Sequence, residues 1–131
     1  VDTVNQLKDH SGAFAVPAAN TISTVNYDVI TGFAAGDKFD IEQDQTSGAI
    51  TVTNRTDLTA VVLADGTANA VRGTYNAAAN TFVGSAAGAD TLFVYDADGT
   101  DAGQDYEAVV LVGLQGTQVN SDAVGTFTLV A

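Results

Sequence analysis

The chain lacks several residue types altogether, and each absence excludes a class of function. None of its 131 residues is Cys, Met or Trp. Without cysteine there is no thiol catalysis, no zinc finger or iron–sulfur cluster held by thiolates, and no disulfide framework. The core must therefore be stable without covalent cross-links, and the lack of cysteine is compatible with a secreted protein.

Positive charge is scarce. Lys and Arg total 4 against 16 Asp and Glu, which gives a formal net charge of -12. Such a chain repels nucleic acid and anionic membranes and attracts divalent cations. Hydrophobic residues make up 46% of the chain and charged residues only 15%, so the composition is that of a folding chain rather than a disordered one.

Long apolar segments are also missing. No run approaches the roughly 20 apolar residues of a membrane-spanning helix. The N-terminal sequence VDTVNQLKDH lacks the basic and apolar regions of a signal peptide. We therefore expect no membrane insertion and, if the protein is exported, no ordinary N-terminal signal. Because the chain begins at Val1, we expect a fragment of a longer protein or a processed product.

The sequence predicts mainly short β-strands. Val, Ile, Phe and Tyr occur in short alternating runs separated by Gly, Asn and Asp, a pattern typical of β-structure. Turn signals recur about every ten residues, which favours an all-β fold, β-sandwich or β-roll-like, in a single small domain. The predicted strands, about ten, are residues 21–25, 28–30, 38–41, 49–53, 59–63, 70–75, 81–84, 91–95, 106–111 and 126–130.

Two segments also have features of a helix, residues 1–10 and 56–70. Within the second, residues 54–57 offer a helix cap, but Thr59 and its β-branched neighbours favour a strand. We interpret residues 1–25 as an N-terminal lead-in with the first strand, and residues 26–131 as the β domain.

An acidic, glycine-rich bend is the first candidate site. Residues 28–41 read DVITGFAAGDKFDI, with a short strand on each side of the bend. Asp28, Asp37 and Asp40 are placed to converge on one side of it, and clustered carboxylates with turn carbonyls supply the oxygen ligands that Ca²⁺ requires. The same sequence also fits a hairpin whose aspartates face water.

A second acidic turn follows an apolar strand. Residues 90–101 read DTLFVYDADGTD, and a further apolar strand, AVVLVGL, comes after it. Asp96 and Asp98 resemble the start of an EF-hand loop with Glu107 at its twelfth place. The sixth place of that loop requires Gly but is Asp101 here, so we exclude an EF-hand. A Ca²⁺ site formed by Asp96, Asp98 and a carbonyl, or a solvated Asp-Gly turn, both fit.

Taken in order, these segments and an alternating C-terminal strand resemble the C-terminal region of bacterial type I secreted proteins of the RTX and serralysin kind, with haemolysin-type calcium binding. The family's Y-D-A-D-G turn is matched by residues 95–99. Its glycine-rich nonapeptide repeat is absent from the sequence. The family's D-x-I-x-x-F-x-x-G-D-x-I-D pattern is matched at Asp28, Ile30, Phe33, Gly36, Asp37 and Asp40, with Phe39 replacing the usual isoleucine.

The resemblance implies a non-catalytic C-terminal secretion and folding module of an extracellular bacterial protein. Such a module is exported by a type I ABC transporter apparatus and stabilised by Ca²⁺ outside the cell. The alternative is a calcium-dependent adhesion or surface-layer assembly module that contacts cell-surface components or other copies of itself. The expected location is secreted or at the cell surface, and the expected calcium ligands are Asp28, Asp37, Asp40, Asp96 and Asp98.

Catalysis is not expected from these residues. His10 is the only histidine, and it lies in a polar N-terminal stretch with no local sign of an activated nucleophile. The chain has no Trp, 4 Tyr and 6 Phe, which is a poor supply for the aromatic groove of a glycoside hydrolase. Residues 32–36 are followed by no helix start and no Lys-Ser/Thr pair, so they form no phosphate-binding loop.

Overall fold

The computed structural model describes residues 3–7, 11–34, 36–42, 51–64, 67–96, 106–114, 118–121 and 126–130. Over these ranges the protein is a small all-β domain, as the sequence predicts. No helix within them is long and apolar enough to cross a membrane. The strands are β1 (Thr3–Leu7), β2 (Thr21–Ser23), β3 (Asp28–Ile30), β4 (Lys38–Glu42), β5 (Thr51–Arg55), β6 (Thr67–Asn76), β7 (Thr81–Gly84), β8 (Asp90–Asp96), β9 (Tyr106–Leu111), β10 (Gln118–Ser121) and β11 (Thr126–Val130).

Seven of these strands form one curled sheet. Its order is β2-β7-β6-β8-β9-β3, and β5 pairs with β6 outside this order. β6 has ten residues, enough to hold β8 on one side and two successive partners, β5 and then β7, on the other. The remaining four strands form a second sheet in the order β1-β4-β11-β10.

The strands on the two sides of the glycine-rich bend do not pair with each other. β3 runs parallel to β9 in the seven-stranded sheet, whereas β4 lies between β1 and β11 in the other sheet. The hairpin interpretation of residues 28–41 is therefore wrong. Each of the two strands pairs with strands that are distant in the sequence, and local turn signals carry no information about such pairing.

The hydrophobic core lies on both faces of β8 and β9. Every residue of the two strands is buried, which explains the apolar runs at residues 92–95 and 108–111. Because successive side chains point to opposite faces of a sheet, each face has its own cluster. One cluster contains Ala68, Ala70, Phe93, Tyr95, Val109, Leu111 and Leu114, and the other contains Phe14, Leu58, Val61, Val71, Phe82, Leu92, Val94, Tyr106, Ala108 and Val110.

The strand predicted at residues 59–63 is not formed. A short 3-10 helix, Leu58–Ala60, stands at its start. The Asp57 carboxylate caps this helix by accepting hydrogen bonds from the backbone N and the Oγ1 of Thr59, at 2.8 and 2.7 Å. The turn inserts Leu58, which is 0% exposed, into the core. Capping and burial thus outweigh the strand preference of β-branched residues.

Two strands, β1 and β10, form where the sequence predicts none. β1 lies within the segment interpreted as a lead-in and pairs in parallel with β4. β10 forms an antiparallel pair with β11, the predicted C-terminal strand.

Candidate functional site

The first predicted calcium site is divided between the two sheets. Asp28 begins β3 and lies opposite Val109 of β9. Asp40 lies in β4, opposite Asn5 of β1 and Thr126 of β11. Their strands therefore do not bring the two aspartates together as neighbours in one ladder.

Asp37, between these strands, closes a turn of its own. Its Oδ2 accepts a hydrogen bond from the backbone N of Ala34 at 2.7 Å, and its backbone N donates to the Ala34 carbonyl at 3.1 Å. Gly36, just before it, has a φ of 90°, a value that glycine adopts without strain. Asp37 is 7% exposed, so its carboxylate stabilises the turn and does not face water.

No group of three or more His, Asp or Glu side chains in the described part of the chain is arranged to hold a metal ion. Asp98 and His10 lie outside the described residues. The calcium ligands stay a prediction from the sequence.

Buried acidic side chains occur instead at the end of the β8–β9 pair where residues 97–105 connect the two strands. Tyr95 lies opposite Glu107, and Asp96 lies opposite Tyr106. Asp96 is 2% exposed and Glu107 is 6% exposed. The Tyr95 hydroxyl donates a hydrogen bond to Oε2 of Glu107 at 2.9 Å. Since the two pairs are consecutive along the strands, their side chains face opposite sides of the sheet.

The segment before β2 covers the edge of β9 at this hairpin end. Ala13 forms a bridge with Glu107, and the backbone N of Phe14 donates to the Tyr106 carbonyl at 2.7 Å. The Ser11 hydroxyl donates to the carbonyl of Ala108 and accepts from the backbone N of Asp28 at 3.1 Å. One hydroxyl thus joins β9 to the first residue of β3.

Asp90 is a buried carboxylate at the opposite end of β8, and it is not among the site residues predicted from the sequence. Its Oδ2 accepts from the backbone N of Tyr75 at 2.8 Å, and its Oδ1 accepts from the backbone N of Gly113 at 2.8 Å. Both oxygens therefore bind backbone amides from segments on the two sides of β8. Its side chain holds β6 and the chain after β9 in place, and no local motif marks this role.

Two exposed or partly buried groups have shifted pKa values with local causes. Burial raises the pKa of the Tyr27 phenol above its ordinary value. The side-chain and backbone hydrogen bonds from Thr59 lower the pKa of the Asp57 carboxyl.

Comparison with known proteins identifies no relative. No family model, no curated protein and no solved structure matches the chain. The functional interpretation therefore depends on the residues themselves. The carboxylates of Asp37 and Asp90 accept hydrogen bonds from backbone amides, and that of Glu107 accepts one from a tyrosine hydroxyl. These contacts stabilise the fold.

Proposed function

We propose that the domain is a non-catalytic secretion and folding module of an extracellular bacterial protein, and that Ca²⁺ stabilises its folded state. The observation that carries this proposal is the sign of the buried charge. The basic side chains whose burial the structure describes are Arg55 and Arg72, and neither is buried. The buried acidic side chains are Asp37, Asp90, Asp96 and Glu107.

Folding such a chain has an electrostatic cost. It removes carboxylates from water and brings the negative charges of a chain with a net charge of -12 closer together. A divalent cation that binds the folded state offsets this repulsion and shifts the equilibrium towards folding. Inside a calcium-poor cell the chain would then stay less compact, as export through an ABC transporter channel requires, and it would fold outside.

The connection between β8 and β9 is the better candidate position for the ion. Asp96 ends β8, and residues 97–105 contribute Asp98 and two more aspartates, which are hard oxygen ligands of the type that Ca²⁺ prefers. The set around the glycine-rich bend fits less well. There one carboxylate already closes a turn, and the other two belong to strands of different sheets.

Calorimetric titration of the chelator-stripped domain with Ca²⁺ tests the proposal, with circular dichroism recorded before and after. We expect saturable binding with a gain in β signal, weakened at least tenfold by Asp98→Asn. Asp57→Asn removes the same charge at an exposed helix cap, where Asn is an equally good cap, and should bind as the wild type does. Absence of binding heat together with an unchanged folded spectrum contradicts the calcium part of the proposal.

The alternative function is calcium-dependent adhesion or surface-layer assembly, and the same samples separate the two. A domain that is folded in chelator and forms oligomers only when Ca²⁺ is added supports assembly. A domain that fails to fold without Ca²⁺ and gains its fold when Ca²⁺ is added supports the secretion and folding module.

A further inference from the structure

One part of this acidic protein carries no charge at all. Residues 11–27 and 73–89 contain no Asp, Glu, Lys, Arg or His. β2, β7 and the last four residues of β6 lie in these segments and pair with one another at one end of the seven-stranded sheet. We call these three strand segments, together with residues 24 and 25 that follow β2, the neutral edge. The net charge of -12 is thus carried entirely by the rest of the chain.

The outer side of β2 presents open backbone groups. Asn20 accepts a backbone hydrogen bond from Gly84 at 3.2 Å, and Thr24 donates one to Asn80 at 2.8 Å. In an antiparallel pair, every second residue of a strand bonds to the partner strand, and the residues between them direct their backbone groups to the other side. Since Asn20 and Thr24 bond towards β7, the N–H and C=O groups of Thr21 and Ser23 point away from it. Both residues are exposed, and none of the described strands pairs with this side of β2.

The neutral edge lacks the features that usually protect an edge strand from pairing. Natural edges carry charged side chains, proline or bulges, or are covered by another element. The exposed side chains here include two valines, Val25 at 69% and Val83 at 43% exposure, beside the hydroxyls of Thr21 and Ser23. The only proline, Pro17, precedes β2 and leaves its outward amides free to donate.

We propose that two copies of the domain associate by antiparallel pairing of their β2 strands. A second copy fits this edge because two molecules of the same strong charge repel each other except where their surfaces are neutral. A two-fold axis at Ile22 places Thr21 opposite Ser23 of the partner subunit, so that the outward N–H and C=O groups of each strand meet. The two seven-stranded sheets then become one continuous sheet.

The position of a neighbouring charge favours the antiparallel direction. Asp57 is next to Leu58, whose backbone N donates to Oδ1 of Asn20 at 2.9 Å, just before β2. Antiparallel pairing places the Asp57 side chains of the two copies at opposite ends of the shared edge. Parallel pairing would bring them to the same end, where like charges repel.

Sedimentation equilibrium up to about 1 mM protein, in a buffer in which circular dichroism shows the folded β domain, tests this pairing. We expect a reversible dimer for the wild type and at least tenfold weaker association for both Val25→Glu and Ser23→Pro. The first adds a charge to the neutral edge, and the second removes an outward N–H that β7 does not use. Val62→Glu is the matched control, because it adds the same charge at an exposed valine outside the neutral edge and should dimerise as the wild type does.

Two results would overturn the proposal. One is a wild-type domain that stays monomeric at the highest concentration, and the other is equal association of the wild type, Val25→Glu and Val62→Glu. If Ser23→Pro does not fold by circular dichroism, Val25→Glu decides alone. Since the chain has no cysteine, a nitroxide on Ser23→Cys should give a shorter distance between copies than one on Val62→Cys. Because all variants are compared in the same buffer and the same folded state, this result is independent of the calcium titration.

Discussion

Replacing Asp90 by Asn tests whether a buried carboxylate organises the sheet. The carboxylate accepts hydrogen bonds from the backbone N atoms of Tyr75 and Gly113, both at 2.8 Å, and the residue is 8% exposed. Asn has nearly the same shape but only one acceptor oxygen. Its NH₂ group would face a backbone N–H, so one of the two amides loses its partner.

The expected loss of stability follows from that missing bond. Hydrogen bonds to charged groups contribute about 1.5–3 kcal/mol each, and we expect Asp90→Asn to lower the free energy of unfolding by about this amount. Asp90→Ala removes both acceptors and should cost roughly twice as much. A domain of this kind has a total stability of about 5–15 kcal/mol, so the alanine variant would approach unfolding at room temperature only if the wild type lies at the lower end of that range.

Urea denaturation followed by circular dichroism measures the effect. With an m value of about 2 kcal/mol/M, the Asn variant should unfold at about 1 M less urea than the wild type. The control is Asp57→Asn, which removes the same charge from an exposed cap position. Equal midpoints for the two variants would show that the Asp90 bonds do not contribute to stability, and the reasoning from buried acceptors would be refuted.

Two further predictions concern a titrating phenol and the core. Burial raises the pKa of Tyr27, so the folded state keeps the phenolic proton at a pH where the unfolded chain loses it. The free energy of unfolding should therefore fall as the pH rises above about 10, and it should fall less in Tyr27→Phe. Urea midpoints of both proteins at about pH 8 and about pH 11 measure this difference. Leu58 is 0% exposed, so Leu58→Ala should lower the free energy of unfolding by about 2–5 kcal/mol. Val62 is exposed, so Val62→Ala should change it by less than about 0.5 kcal/mol. Similar losses in the two variants would contradict the burial described for Leu58.

The central strands are the part of the fold that the sequence predicts best. β9 is found at Tyr106–Leu111, as predicted, and β8 extends one residue beyond the predicted 91–95 at each end. Each strand contains an uninterrupted apolar run, residues 92–95 in β8 and 108–111 in β9, because both faces of the sheet are buried there, and that signal is strong whatever the surrounding topology.

Edge strands and parallel pairs are harder to predict for a physical reason. β10 reads QVNS and has a single apolar residue, so it shows no alternation. β1, β3 and β5 each pair in parallel with a strand that no tight turn connects to them. Their existence depends on partners that are remote in sequence, and local propensity carries no information about those partners.

The candidate site shows the same limit. Asp28, Asp37 and Asp40 are close along the chain, but β3 and β4 enter different sheets, and Asp37 bonds within its own turn. The structural importance of Asp90 depends on distant backbone amides, and that of Glu107 on the tyrosine opposite it in the sheet. A single acidic residue at the start of a strand gives no sign of such contacts.

The parallel pairing of β3 with β9 also has a consequence for the rate of folding. Asp28 lies opposite Val109, so this ladder closes only after most of the chain has been brought together. Native contacts between residues far apart in sequence slow folding, because a long loop must lose its freedom before any contact stabilises it. A chain with this topology spends a longer interval unfolded, and the length of that interval depends on the order of the strands more than on the strength of the core.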